Sequence, residues 1–250
     1  MREAPSALPA GVVCERAGPV RRVVGHFRGF VLAPRDTGLR GAALDRLIAA
    51  QRDHFAGRGE SVEWKVREHD APADLTRRLR AAGFVPGETQ TVLVGRAAGL
   101  ASEPVLPDGV KLRRVTEDTD LRAIATMEAE VWGSEPAQLH GFLAGQVAAA
   151  PDDVAVLVAE ADGEVVSAAW LVLAPGSAFG GLRGGTTLPA WRRRGIYQAL
   201  VAARARLAVA RGVEYLQVDA SSDSTPILVR LGFRAATTAT SYVWTPPAAR

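Results

Sequence analysis

The sequence is short of the residues that build disulfides, metal clusters and membrane spans. It holds one cysteine, Cys14, which excludes an internal disulfide or a thiolate zinc cluster and suits a reducing, cytoplasmic compartment. Its four histidines, His26, His54, His69 and His140, never fall at ligand spacing, so no metal is expected. No stretch approaches the ~18 uninterrupted apolar residues of a transmembrane helix. The longest apolar region, residues 154–174, is broken by Glu160, Asp162 and Glu164. Where a secretory signal needs an apolar core, the chain has Glu3 and three prolines or glycines, which points away from export. Neither sign of charge dominates: 30 basic and 27 acidic residues, interleaved along the chain, leave a net charge of +3. The pI is about 9.5, yet that interleaving provides no dedicated polyanion surface, and neither nucleic acid nor membrane is an expected partner.

What is present is globular material. At 48% hydrophobic, 250 residues suffice for one large domain or two small ones. A Pro/Gly/Ala-rich passage over residues 97–109 separates two parts, so the division expected is 1–98, a linker at 99–109, and 110–250. The parts echo each other. Leu75, Leu79 and Gly83-Phe84 match Ser224, Leu228 and Gly232-Phe233 in spacing, and each set precedes a Thr/Val-rich strand, residues 89–94 and 237–244. Upstream, the apolar strands at 62–66 and 213–218 each follow an amphipathic helix, 42–56 and 197–210, and each helix follows an Arg-Gly step, Arg40-Gly41 and Arg194-Gly195. The N-terminal part therefore reads as a partial, degenerate copy of the C-terminal part.

The C-terminal part parses as a mixed α/β layer. A strand at 110–115 leads into helices at 119–131 and 138–149; strands at 154–159 and 165–173 flank Asp162-Gly163, a strong hairpin signal. A strand near 182–188, the helix at 197–210, a strand at 215–218, a short helix and a final strand, whole or broken in two, complete the order. The informative segment is Thr186-Thr187-Leu188-Pro189-Ala190-Trp191-Arg192-Arg193-Arg194-Gly195-Ile196-Tyr197-Gln198. Pro189 halts a strand, and a basic loop opens directly into a helix whose first N–H groups have no internal partner. Gly195 permits close approach of backbone to a ligand, so the junction fits a pyrophosphate. It is neither a Walker loop nor a dinucleotide fingerprint, since the Gly-Lys-Ser/Thr ending and two of three glycines are missing.

Over residues 110–244 the sequence resembles the GNAT superfamily of acyl-CoA-dependent N-acetyltransferases, whose signature Gln/Arg-x-x-Gly-x-Gly/Ala reads here Arg192-Arg193-Arg194-Gly195-Ile196-Tyr197. Pro189, the helix that follows and the closing Leu231-Gly232-Phe233 complete the match. The resemblance implies an α/β fold with a central twisted, mostly antiparallel sheet, splayed between the fourth and fifth strands of the C-terminal part and flanked by helices, beside an N-terminal partial GNAT-like domain. It implies acetyl-CoA as co-substrate, its pantetheine on the backbone of Gly185, Thr186 and Thr187 and its pyrophosphate on Arg192 to Gln198. The acceptor implied is an amine-bearing small molecule or peptide, attacking directly in a ternary complex.

The chain departs from the family in three places. Tyr197 stands where a small residue is usual, and is expected to point away along the helix flank. Leu228 stands where many members carry a tyrosine that protonates the leaving thiolate. Ser221 or Ser222 replaces an asparagine. Asp219 is a weak candidate base; as an N-terminal cap of the following turn it would be structural. Glu128, Glu130 and Glu135 surround Trp132 and are placed to attract a cationic amine or to form a solvated helix face. Tyr215 and Tyr242 are substitutes for the missing donor or strand packing. The competing function is a non-catalytic acyl-CoA-binding sensor or partner module. In the N-terminal copy Asp36 sits where a phosphate would lie, so that copy is expected to bind no coenzyme and to shape the acceptor cleft or a homodimer surface.

Overall fold

The computed structural model describes residues 8–133 and 135–247; Glu3 of the export reading lies outside them. The chain forms two compact units, each assembled from separated segments: Gly11–Val92 with the chain from Ala236, and residues 8–10 with Leu93–Ala235.

The first unit opens with a meander of β1 (Val13–Ala17), β2 (Val20–Val24) and β3 (Gly29–Leu32), turned at Gly18 with φ of 65°. Helix α1 (Gly41–Ala56) leads to β4 (Val62–Arg67), then α2 (Leu75–Ala81) and β5 (Val85–Arg96). Strand β3 lies parallel to β4 across α1. The core gathers Leu44, Ile48 and Phe55 of α1, Trp64 of β4 and Leu79 of α2.

The second unit takes β5 from Leu93 onward, then α3 (Ala97–Leu100), β6 (Val110–Val115), α4 (Asp118–Trp132) and α5 (Pro136–Ala149). The meander β7 (Val154–Ala161), β8 (Glu164–Leu173) and β9 (Phe179–Thr187) follows. After α6 (Ile196–Ala210) come β10 (Tyr215–Ala220), α7 (Thr225–Arg230) and the start of β11 (Arg234–Trp244). Asp162 and Gly163 both take positive φ, 52° and 84°, the geometry of a tight hairpin turn. The strand order is β5-β10-β9-β8-β7-β6. Neighbours from β6 to β9 are antiparallel, and β9 and β10 are parallel across α6. Helices cover both faces, and β7 feeds both cores by alternation. Ala155, Leu157 and Ala159 pack with Leu200 and Ala205 of α6; Val154, Val156 and Val158 pack with Ile124 of α4 and Leu143 of α5.

Three features differ from the sequence expectation. The meander over residues 13–32 has no counterpart among the elements read from the sequence. The Pro/Gly/Ala-rich passage begins as helix α3, whose Ala97 and Leu100 are core residues. The final strand is continuous and, from Ala236, clusters with Gly11–Val92, where it pairs antiparallel with β4, Tyr242 opposite Trp64. In the repeat, β5 and β11 are equivalent closing strands. Each lies beside the strand that its counterpart should close: β11 beside β4, β5 beside β10. Among the described residues no helix is long and apolar enough to cross a membrane.

Candidate active site

The second unit opens where β9 leaves β10. Their register pairs Tyr215 with Phe179, Leu216 with Gly180 and Gln217 with Gly181. Among the described residues it stops there, so residues 182–187 and 218–220 run on without partnering each other. On its other side β9 stays paired with β8 but skips a residue: Ala169 faces Gly184, Ala168 faces Thr186, and Gly185 is left as a bulge. Both glycines have positive φ, 63° and 99°.

The bulge is held from several sides. The Ser167 hydroxyl donates to the Thr186 carbonyl at 2.7 Å and lies 2.8 Å from the Thr187 hydroxyl. The Trp132 indole N–H donates to Thr186 Oγ1 at 2.9 Å. Arg204 of α6 is fully buried, with no carboxylate paired to it among the described residues. Its guanidinium donates instead to the carbonyls of Leu200 at 3.0 Å, Trp170 at 3.3 Å and Arg183 at 3.1 Å, and burial pushes its pKa down to about 10.

Past the bulge, Pro189–Trp191 forms a single 3-10 turn. Arg192 donates from Nε to the Thr187 carbonyl at 3.0 Å, so part of this basic group is committed to the loop. The Arg194 guanidinium lies 4.8 Å over the Trp191 ring. Arg193 adopts φ of 62°, and Gly195 begins α6 at φ of 83° with no side chain capping the first turn. Main-chain N–H groups from Arg193 to Gln198 have no partner among the described residues. Positive φ at two of three successive residues is a backbone pattern that gathers N–H groups into an anion-binding concavity. Against the first turns of α6 lies a cavity of about 160 Å³, lined by Leu100, Glu103, Val105, Gln198 and Ala202 among others.

Tyr197 does not turn away from the strands. A Cβ on Gly185 would meet its ring at 2.9 Å, so the ring rests on the bulge. Its hydroxyl is in hydrogen-bonding reach of Ser224, and burial, the main influence, raises its pKa. The other two tyrosines are packing residues: Tyr215 stacks on Phe179 at 5.2 Å, and Tyr242 is buried in the first unit's core. Leu228 is likewise a core residue.

Asp219, at the end of β10, does not cap α7, whose N-cap is Ser224. It accepts from the Gln217 amide at 3.2 Å and lies 3.9 Å from the Arg183 guanidinium. The three glutamates around Trp132 separate sharply: Glu130 and Glu135 are exposed, while Glu128 is only 7% exposed. Burial raises the Glu128 pKa, partly offset by hydrogen bonding from Thr186 and Trp132. The sequence carried a signal for this, because Leu121, Ile124, Ala125 and Glu128 follow the apolar stripe of a helix.

The corresponding step in the first unit carries an acidic side chain on its arginine. Asp36 accepts from Arg40 at 2.6 and 2.8 Å and from the Gly38 N–H at 2.8 Å. The Arg40 bond, then the Gly38 bond, holds its carboxyl at about 2. The side chain that would repel an incoming phosphate already occupies the arginine.

The family model described as the acetyltransferase (GNAT) family matches residues 118–233. A search of curated proteins finds no significant match. Among solved structures, a GCN5-related N-acetyltransferase from Kribbella flavida superposes with a TM-score of 0.70 at 19% identity, covering 95% of this chain and 91% of that one. A GCN5-related N-acetyltransferase from Sphaerobacter thermophilus gives 0.64 at 19% identity, over 92% and 78%. A tandem GNAT protein from the clavulanic acid biosynthesis pathway gives 0.63 at 16% identity, over 97% and 86%. Identities this low establish the fold: a GNAT fold in a two-domain arrangement.

Proposed function

Because residues 118–233 form a domain of the acetyltransferase (GNAT) family, we propose that this chain moves an acetyl group from acetyl-CoA to an amine-bearing small molecule or peptide, by direct attack in a ternary complex. The observation that carries the reading is the run of unpartnered N–H groups from Arg193 to Gln198 where α6 begins. It lies at the end of a strand that has parted from its parallel neighbour. A helix N-terminus with free amides and flanking arginines favours a diphosphate. The gap between β9 and β10 gives the pantetheine arm a path along Gly185, Thr186 and Thr187. Arg192, Arg193, Arg194, Gly195, Ile196, Tyr197 and Gln198 form the pyrophosphate cradle. The bulge at Gly185 turns main-chain donors toward the thioester oxygen, where negative charge grows as the amine attacks. Little else is asked of the protein beyond alignment and removal of a proton.

Leu228 in the core favours a second reading, a module that binds acyl-CoA without turnover. The two readings divide on one experiment. Calorimetry with acetyl-CoA is expected to give one site per chain, since the Asp36 carboxylate engages Arg40 and opposes a phosphate at the step in the first unit. Thiol release is expected to require an amine drawn from a broad panel. Arg192→Glu with Gly195→Asp is expected to weaken acetyl-CoA roughly 100-fold by placing like charge at the phosphates. Binding unchanged in that double variant removes the cradle assignment; tight binding with no turnover on any amine selects the second reading.

A further inference from the structure

The carboxylate of Glu128 is unusual for what surrounds it. It lies on the core face of α4, and its Oε1 is buried without a hydrogen-bond partner. A half-satisfied carboxylate costs stability unless a cation completes it. Among the described residues, the elements packed on α4 supply none to Glu128: Arg113 of β6 is taken up by Asp120 at 2.8 Å and Glu160 at 2.9 Å. On α5 the titratable group is His140, which bonds Asp118 at 2.6 Å; on β8 it is Glu164, exposed at the start of the strand; on β9 it is Arg183, which faces Asp219. A glutamine would accept from the Thr186 hydroxyl equally well and carry no charge.

The donor now facing this corner is a stand-in. The Trp132 indole gives its one N–H to Thr186 Oγ1, yet Trp132 is 65% exposed, so it holds that position with one hydrogen bond and little burial. An ammonium brings three N–H donors and a charge. It can displace the indole N–H, complete the orphaned oxygen and keep the exposed ring as a cation-binding wall. Thr186 is also the residue after the Gly185 bulge, along which the thioester is expected to lie.

We propose that the acceptor is a cationic amine seated between Trp132 and Thr186, and that Glu128 is the catalytic base that deprotonates it. The assignment rests on the acetyl-transfer reading above. One ammonium proton passes to the Glu128 carboxylate, and the freed lone pair forms the C–N bond at the thioester carbonyl carbon. As the C–S bond breaks, the electron pair leaves on the coenzyme sulfur, which takes the second nitrogen proton. Glu128 returns its proton to solvent. The raised pKa of Glu128 brings the base closer to the range in which it exchanges protons efficiently at neutral pH.

The test compares Glu128→Gln, Glu128→Asp and Asp219→Asn in the full chain. Acetyl-CoA affinity by calorimetry should stay within about twofold in Glu128→Gln, while kcat/KM for the amine falls roughly 100-fold or more. That loss should shrink about tenfold per pH unit as solution chemistry supplies the neutral amine, a pattern that a merely structural glutamate does not produce. Glu128→Asp should recover part of the rate. Full activity in Glu128→Gln, a loss that pH does not relieve, or the same pattern in Asp219→Asn instead would overturn the assignment. A wild-type chain that binds acetyl-CoA but acetylates no amine overturns both this assignment and the transfer reading.

Discussion

Two buried ionic groups flank β9, and they are satisfied to different degrees. Arg204 gives its protons to three carbonyls, and its pKa, lowered to about 10, leaves it charged at neutral pH. Glu128 leaves an oxygen unpaired, so its charge opposes folding. The sign follows from linkage. The folded-state pKa of Glu128 is raised, so the folded protein binds the proton more tightly than the unfolded chain. Stability contributed by this group is therefore highest at acid pH, and is lost as pH rises from the ordinary glutamate range through the raised value. Removing the charge removes the loss. Glu128→Gln should stabilise the protein at pH 8 by about 1–3 kcal/mol, read as a higher Tm, with the difference closing below the ordinary glutamate range. A Glu128→Gln variant less stable than wild type at pH 8 would show that the carboxylate has a structural partner. A more stable, less active variant is the expected signature of a residue retained for chemistry.

At the scale of the element, β9 is built from close approaches that only glycine allows. A Cβ at Gly184 would stand 2.4 Å from the Trp170 ring, at a φ of 63° that strains any other residue. Gly184→Ala should therefore cost roughly 2–4 kcal/mol and weaken acetyl-CoA binding, because the bulge at Gly185 moves with it; chemical denaturation and calorimetry check the two effects separately. A variant with unchanged affinity would uncouple the bulge from the coenzyme path. What sequence could convey about this element follows from its physics. Pro189, the arginines and Gly195 act within a few residues, so the junction into α6 was legible. So was the Asp162-Gly163 turn, and with it the hairpin before the junction. The bulge and the parting of β9 from β10 depend on register against other strands, which no local pattern encodes. Residues 13–32 hid three strands because each is only four or five residues long and Gly/Pro turns interrupt any alternation. The Tyr197 ring lies on the bulge, against the expectation that it points away, because the missing side chain at Gly185 leaves room there.

At the scale of the molecule, the exchange of β5 and β11 makes each unit depend on chain from the other half. Leu93, Ala97 and Leu100 precede residue 110 and are buried in the second unit's core beside Leu216 and Phe233. Tyr242 comes from the C-terminal end and is buried with Trp64 in the first. A fragment of residues 110–250 matches the division read from sequence, but it lacks all three core residues, exposes the edge of β10 that β5 covers and leaves β11 without β4. Burying one large aliphatic side chain is worth about 1.5–3 kcal/mol. Losing two leucines and an alanine therefore removes much of a net stability that for domains of this size is only about 5–15 kcal/mol. Two uncovered strand edges add an aggregation hazard. The 110–250 fragment should be insoluble or show no cooperative unfolding transition, while the full chain unfolds cooperatively and binds acetyl-CoA. The arginines and amides of the cradle are all present in that fragment, so its failure would be one of folding rather than of recognition. A soluble 110–250 fragment that binds acetyl-CoA with full-chain affinity would show instead that the exchanged strands are ornamental and that the C-terminal half folds alone.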